Sequence, residues 1–581
     1  MEKYCGVHIT HEAVQKIGGI GAVIAGLLTS SEYKNIFDKS LLYGPLFDLN
    51  GSETSKLGKD GIVYYSGKDN YSENNWDKIF KPIEEKYNIY IVYGKRKIVN
   101  ETNPELVSDV DIVLLYINEM KEDILKEYKY KFWEKYKIES KKYDSWDYEQ
   151  YFRIGIPYFE IINKLYSNDS TVHFSHEYMG IPSILNMKMN INYQKKSKNH
   201  ISVYYAHEIP AVRRLVEKIT GHDITFYNIM DNDKKNNISM EQEFNNFERN
   251  YRDDLVKKTD NFDSVFTVSK LVKQEYKYFN HGIEEKKLKI VYNGINHRTI
   301  SFEKKIQSRN LLKKYCLNLF NYEADIIFSH VTRLVISKGL WRDIAFLEKM
   351  DKIFYEKGIK GFYILLSTLI GNGRNSSDIY KMEKEYGWPV LHKTGWPDLV
   401  GLEQDVYDSI NIFNAKSKSI KAVFLNQFGF NRHSCGMRMP ENLSWQGLRE
   451  GADAELGFSI YEPFGIAQLE TLPYGGISII SSACGCKDLL LEEIGLNSKL
   501  FHIIDFNDVK IDKNELINLN FKERENIEKN KIEENIDDIF NKLKNVLESE
   551  KYEKRFNDAQ KLSQNLEWNH IVKKNIIPAL F

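Results

Sequence analysis

Short apolar, β-branched runs alternate along this chain with longer stretches of helical period. "GVHIT", "DIVLLY", "ISVYYA" and "SVFTVS" read as strands in the first half, and "IIFSHVT", "FYILLST", "AVFLN" and "ISIISSA" in the second. Runs this short and this continuously apolar predict parallel strands buried on both faces. With helices between them, they predict an α/β protein of two open parallel sheets. The charged stretch 297–320, after a turn-like "YNGIN", marks the boundary between the two domains. The interval 217–262 is polar, with helical charge patterning toward its end, and reads as a solvated helical insertion or an oligomer contact. In open parallel sheets ligands sit beyond the carboxyl ends of the strands. Two such domains are therefore expected to face a cleft, and the unusual residues do fall at strand ends.

Size and composition narrow this picture without changing it. A chain of 581 residues exceeds one compact core, and two large α/β domains account for it. Its 81 basic and 82 acidic residues leave a formal net charge of -1, which gives no electrostatic reason to expect nucleic acid or an anionic membrane. The balance suits a small anionic ligand held locally, or a neutral carbohydrate. Five cysteines do not make a disulfide framework. "MEKYCGVHIT" enters an apolar strand at once, without a signal-peptide core, and no run approaches the ~20 apolar residues of a membrane span. The expectation is a cytoplasmic protein.

Four stretches carry candidate chemistry. In "CGVHITHEAVQKIGGIGAVIAGLL" a strand runs into a loop with Lys16, Gly18, Gly19 and Gly21, then into an apolar helix. Glycines admit a phosphate to the backbone N–H groups, and a helix N-terminus favours the anion. In "SHVTRLVISKGLW", Arg333 and Lys338 follow a strand. As surface cations they would be unremarkable, but at a strand end they can neutralise a leaving diphosphate. His207 follows the strand "ISVYYA", where it serves either a hydrogen bond or a substrate. In "GFSIYEPFGIAQLETLPYGG", Glu462 and Glu470 bracket a Pro-Phe-Gly turn, and carboxylates there can accept from sugar or ribose hydroxyls. His173 and His176 in "HFSHEYMG", and Cys484 and Cys486 in "SACGCKD", lack a complete ligand set at zinc spacing, so no metal is expected. Asp109 and Asp111 in "SDVDIVLLY" precede the apolar run and read as residues leading into the strand.

Together these motifs resemble the retaining glycosyltransferases of the two-Rossmann-domain (GT-B) type, most closely the glycogen and starch synthases. "KIGGIGAVIAGL" resembles their Lys-x-Gly-Gly loop, "TRLVISKG" their Arg/Lys pair and "ADAELGFSIYEPFGIAQLE" their Glu-x7-Glu region. "HFSHEYMG", "AHEIPAVRRL", "TFYN" and "SVFTVSKLVKQE" are similar to the animal and fungal branch, as is Glu470, whereas the Arg333–Lys338 spacing is similar to the bacterial one.

The resemblance implies a Rossmann-like acceptor-side domain over 1–300, carrying the 217–262 insertion, and a nucleotide-sugar domain over 301–560. The segment 561–581, with "LEWNHIVKKNIIPAL", would be a helix crossing back to the first domain. Lys16, Gly18 and Gly19 would bind near the donor phosphates and His207 would contact the transferred sugar. Arg333 and Lys338 would stabilise the leaving diphosphate, and Glu462 would lie by the donor sugar. Glu470 would bind the ribose, Trp445 would stack on the base, and Phe464 and Gly465 would belong to the substrate-binding turn. The implied activity is glucosyl transfer from ADP-glucose or UDP-glucose to the non-reducing end of an α-1,4-glucan, without a cofactor. A retaining hexosyltransferase with a small-sugar or lipid acceptor, and a non-catalytic sugar-nucleotide or glycan-binding relative, fit the same motifs. The 217–262 segment is the expected site of any homo-oligomer.

Overall fold

A computed structural model of the chain describes every residue except 1–2, 15–17, 51–55, 59, 101, 245–248, 371–380, 382, 386–398 and 428. The chain divides into two units. The first comprises Met1–Ala211, Ser239–Asn296 and Trp568–Phe581, and the second Val212–Ile238 and His297–Glu567.

The first unit is built on a ten-stranded sheet. Its strands are β1 (Tyr4–Ile9), β2 (Phe37–Pro45), β3 (Ile62–Ser66), β4 (Tyr71–Ser72), β5 (Tyr90–Val99), β6 (Val107–Tyr116), β7 (Ser170–His176), β8 (His200–Ala206), β9 (Ser264–Thr267) and β10 (Leu288–Ile290). They lie in the order β10-β9-β8-β7-β1-β2-β6-β5-β3-β4. From β10 to β6 every pairing is parallel. Beyond β6 the pairings turn antiparallel, so the sheet is mixed where the sequence predicts a parallel one. The reason is local: the short link from Val99 to Val107 has no room for the crossover helix that a parallel pair requires.

This hairpin also corrects the reading of Asp109 and Asp111. Both lie inside β6, directly across from Lys97 and Lys95 of β5, and Asp111 accepts from the Tyr166 hydroxyl at 2.8 Å. They are cross-strand charge partners.

The second unit carries a six-stranded parallel sheet of β11 (Ile326–Val331), β12 (Gly361–Leu366), β13 (Ile420–Leu425), β14 (Ala454–Gly457), β15 (Ile477–Ser481) and β16 (Phe501–Ile504), in the order β13-β12-β11-β14-β15-β16. Its apolar runs are continuous because both faces are covered. Ile326 and Phe328 of β11 join one core with Tyr363, Leu365 and Phe424, while Ile327 joins a second with Phe362, Ile364 and Val423. Successive side chains of a strand point to opposite faces, so each strand feeds both cores in turn.

The interval 217–262 is not one insertion. The helix His222–Asn236 buries Ile224, Phe226, Ile229 and Met230 and belongs to the second unit, whereas Tyr251–Val256 belongs to the first. Asp223 on the former helix accepts a fork from the buried guanidinium of Arg342, at 2.7 and 3.0 Å. At the chain's end Trp568–Phe581 lies with the first unit. The Trp568 ring occupies the space a side chain at Gly26 would need, and Asn569 accepts from Ser30 Oγ at 2.7 Å.

Candidate functional site

In the second unit, three neighbouring strands end in loops that are stitched to one another. The carbonyl of Ser337, in the loop after β11, accepts the N–H groups of Ile460 and Tyr461 from the loop after β14. Glu462 in turn donates its N–H to Ala483 O at 3.2 Å and accepts from Gly485 N at 2.8 Å, in the loop after β15. The tight turn that follows needs Gly465: its φ is +94°, and a Cβ there would lie 2.7 Å from Cys484 Sγ. Phe464 contributes its backbone, with its carbonyl accepting from Cys486 N at 2.7 Å, while its ring is buried in the core and leaves no surface for a substrate. Cys484 and Cys486, 3.5 Å apart, back this turn from the interior.

The stitching brings Lys338 onto Glu462 as a buried ion pair. Two guanidiniums accompany it. Arg213 stacks over the Tyr461 ring at 5.2 Å and its Nη1 lies 3.3 Å from Ser337 Oγ, while Arg333 stands exposed on the loop after β11. Burial alone would push the Glu462 carboxyl up, but the charges of Lys338, Arg213 and Arg333 hold it below the usual carboxylate range. Glu462 is therefore ionised, paired with Lys338 and within the electrostatic reach of two guanidiniums. Arg213 was missed from sequence because its partner Tyr461 lies far along the chain.

A second group lies in the same unit. Trp445 opens the helix Trp445–Gly451, and Arg449, one turn on, stacks against its ring at 4.6 Å. Arg449 also pairs with Glu470 at 2.7 Å and with Glu455 at 3.0 Å. Glu455 accepts the Val331 N–H at 2.8 Å and so ties this group to the end of β11. Trp445, Arg449 and Glu470 form one polar-edged shelf. The i, i+4 spacing of Trp445 and Arg449 was the signal that would have found Arg449.

In the first unit, Lys16 lies outside the described residues. Gly18 precedes the helix Gly19–Thr29, and a Cβ at Gly19 would meet nothing within 4 Å, so glycine there answers to no packing need of the protein. The loop is held from below by Glu12, whose Oε2 accepts from Gly18 N at 3.0 Å and Gly21 N at 2.9 Å. Those two N–H groups are thus engaged by a carboxylate of the chain itself.

His207 is at the end of a row of rings. Its Nε2 lies 2.9 Å from His176 Nδ1, His176 Nε2 lies 2.9 Å from His8 Nδ1, and His8 Nε2 lies 2.7 Å from the Tyr33 hydroxyl. Burial lowers His207 to about 3 and His8 to about 3, and pushes His176 well below its ordinary value, so all three rings are neutral. His173, three residues before His176, points to the other side of β7 and bonds Tyr158 and His200. The H-x-x-H spacing therefore joins two separate networks. Among the described residues no group of three His, Cys, Asp or Glu is placed to hold a metal ion, and no helix is long and apolar enough to cross a membrane.

Two α/β units with these residues at the carboxyl ends of parallel strands have the fold of the GT-B glycosyltransferases. Among solved structures, the catalytic domain of starch synthase IV from Arabidopsis thaliana, bound to ADP and acarbose, is 13% identical with a TM-score of 0.51, covering 99% of this chain and 100% of that one. Sucrose-phosphate synthase from Thermosynechococcus elongatus is 12% identical with a TM-score of 0.48, over 98% of this chain and 97% of its own. An α,α-trehalose-phosphate synthase (UDP-forming) from Burkholderia vietnamiensis is 11% identical with a TM-score of 0.49, over 100% and 99%. No protein-family model matches the chain, and no curated protein matches it.

Proposed function

We propose that the protein is a retaining glucosyltransferase that moves glucose from a nucleotide diphosphate glucose, ADP- or UDP-linked, to the non-reducing end of an α-1,4-glucan. The observation that carries this reading is the ionised Glu462 paired to Lys338 and flanked by Arg213 and Arg333. Three positive charges against one negative leave a surplus suited to a departing diphosphate. The bond from the sugar's anomeric carbon to the phosphate oxygen breaks, and the electron pair leaves with the diphosphate. The acceptor hydroxyl attacks from the same face, and its proton passes to the departing phosphate. Fixed charges aimed at the charge that develops are the main contribution a protein makes to such a step. Glu462 offsets the positive charge growing on the sugar, and Glu470, held by Arg449, accepts from the ribose while Trp445 stacks on the base. A neutral His207 suits this chemistry, because a protonated ring would repel an oxocarbenium-like sugar.

The test is incubation with ADP-glucose and UDP-glucose, each alone, with glycogen, and with glucose or glucose 6-phosphate, measuring nucleotide diphosphate release. Release that depends on glycogen is expected. Release with a small sugar alone would replace the acceptor assignment, and no release from either donor in any arm would overturn the reading.

A further inference from the structure

The row of rings behind His207 has a direction, and that direction decides what His207 offers a substrate. The register of three adjacent parallel strands builds it: His8 lies in β1, His176 ends β7, and His207 follows β8. Their ring planes are nearly parallel, with His8 and His176 centroids 5.2 Å apart and His176 and His207 5.3 Å apart. Tyr205 stacks on His207 at 4.7 Å and Phe174 on His8 at 4.8 Å, so none of the rings is free to turn. Tyr33, from the helix Ser31–Ile36, closes the inner end, stacked on Phe37 at 4.4 Å. Room for its hydroxyl comes from Gly6, where a Cβ would lie 2.2 Å from the oxygen.

A neutral imidazole has one N–H and one bare nitrogen, so a chain of neutral rings must run all one way. Every link then follows from the first. The Tyr33 hydroxyl is buried and its phenol is raised by burial, so it keeps its proton; Ser40 bonds the same oxygen and lowers the phenol, as a donor does, which leaves the phenol's own proton for His8. A phenol is a stronger acid than an imidazole N–H, and a bare ring nitrogen is a good acceptor, so Tyr33 donates to His8 Nε2. His8 Nδ1–H then donates to His176 Nε2, and His176 Nδ1–H to His207 Nε2. The remaining proton of His207 is on Nδ1.

We propose that Tyr33, acting through His8 and His176, is a positioning residue that fixes the tautomer of His207, so that His207 meets the transferred sugar as an Nδ1–H donor. The contact with the sugar rests on the function proposed above, whereas the tautomer does not. The geometry also assigns the kind of sugar atom: an oxygen with a lone pair turned to the ring.

The experiment uses the full chain labelled with [15N]histidine, with the His207 signals identified by their loss in His207→Gln. Long-range 1H–15N correlation spectra report which ring nitrogen carries the proton. The expected result is Nδ1–H in the wild type and a mixture of tautomers in Tyr33→Phe, which keeps the stack on Phe37. His8→Phe, which keeps a ring on Phe174, breaks the row at a second place and should give the same mixture. In turnover, Tyr33→Phe should lower kcat about tenfold, the low end of losing an outer partner of a working imidazole, with donor KM changed less than about twofold. A wild-type His207 protonated on Nε2, or a tautomer unchanged in both variants, would overturn the proposal. A wild type with the expected tautomer and no transferase activity would remove the proposed function and leave the relay standing.

Discussion

Replacing Lys338 by methionine perturbs the proposed site at its centre. The Lys338 side chain is 7% exposed and that of its partner Glu462 15%. Methionine keeps most of the stem and removes the charge. Deleting one partner of a buried ion pair costs about 3–5 kcal/mol, because the other charge stays behind uncompensated. Here Arg213 and Arg333 still act on Glu462, so the expected loss is smaller, about 2 kcal/mol at pH 7.5. In a unit of this size that lowers the melting temperature by about 3 °C.

The pH dependence gives the sharper check. The Glu462 pKa is depressed in the folded protein, so its contribution to stability is present above its ordinary value of 4.5 and fades as pH falls through the folded value. Without Lys338, burial counts for more and the carboxyl's folded pKa rises. Its protonated form becomes the one the fold tolerates. The deficit of Lys338→Met should therefore shrink between pH 7.5 and pH 5, measured by urea unfolding of both proteins at each pH. Adding Glu462→Gln to Lys338→Met should recover most of the loss. A deficit of the same size at both pH values, or one that Glu462→Gln leaves untouched, would refute the claim that an uncompensated Glu462 is its source.

Four further outcomes follow from the same structure. Arg213→Ala and Arg333→Ala should each lower kcat by about 10²-fold or more, the scale of one transition-state contact, and near-normal kcat in both would remove their leaving-group role. Glu470→Gln should weaken binding of the free nucleotide diphosphate about tenfold, the loss of one charged hydrogen bond, whereas calorimetry showing unchanged affinity would reassign it. Gly465→Ala should destabilise by about 1–3 kcal/mol, the usual scale of a strained backbone position, read from the urea midpoint. Arg342→Lys should lower kcat, and that effect should vanish in an Arg213→Ala background if Arg342 acts by placing Arg213.

The strands of the second unit were legible because a parallel strand covered on both faces cannot avoid a continuous apolar run, as "IIFSHV" and "FYILL" are. The antiparallel edge of the first sheet was not. "YIVYGKRKIV" is apolar at one end and charged at the other, and its lysines make sense only opposite Asp109 and Asp111. Lys338 and Glu462 were visible as residue types at strand ends, but their pairing is a fact of strand order: β11 lies next to β14, and no local spacing encodes that. Phe464 sits in the right turn and serves it through its backbone, a distinction that a sequence motif does not make. The division of 217–262 was hidden because Asp223 looks like a solvated helix charge until Arg342 is placed against it.

That last pairing explains how a cation from an early segment reaches Glu462. Arg213 stands where the chain passes from the first unit into Val212–Ile238, and this segment has to be fastened to the second unit if the guanidinium is to stay on Tyr461. Four contacts do so: Asp223 with Arg342, Thr225 Oγ to Leu516 O at 3.0 Å, Asn228 Nδ2 to Asn507 O at 2.9 Å, and Asp233 with Lys513 at 2.9 Å. Arg342 is the fully buried cation among them, bonding Glu528 at 2.8 Å with its Nε while its fork holds Asp223. It stands four residues after Lys338, in the first turn of the helix that leaves the Lys338 loop. One short stretch thus gives Glu462 its ammonium partner directly and secures the segment that carries Arg213. Lysine in place of Arg342 would keep the charge but not the fork, since a point charge cannot bond two carboxylates in fixed directions. Lys338 and Arg213 are therefore not independent in their effect on Glu462: Arg342, four residues after Lys338, holds the segment that carries Arg213.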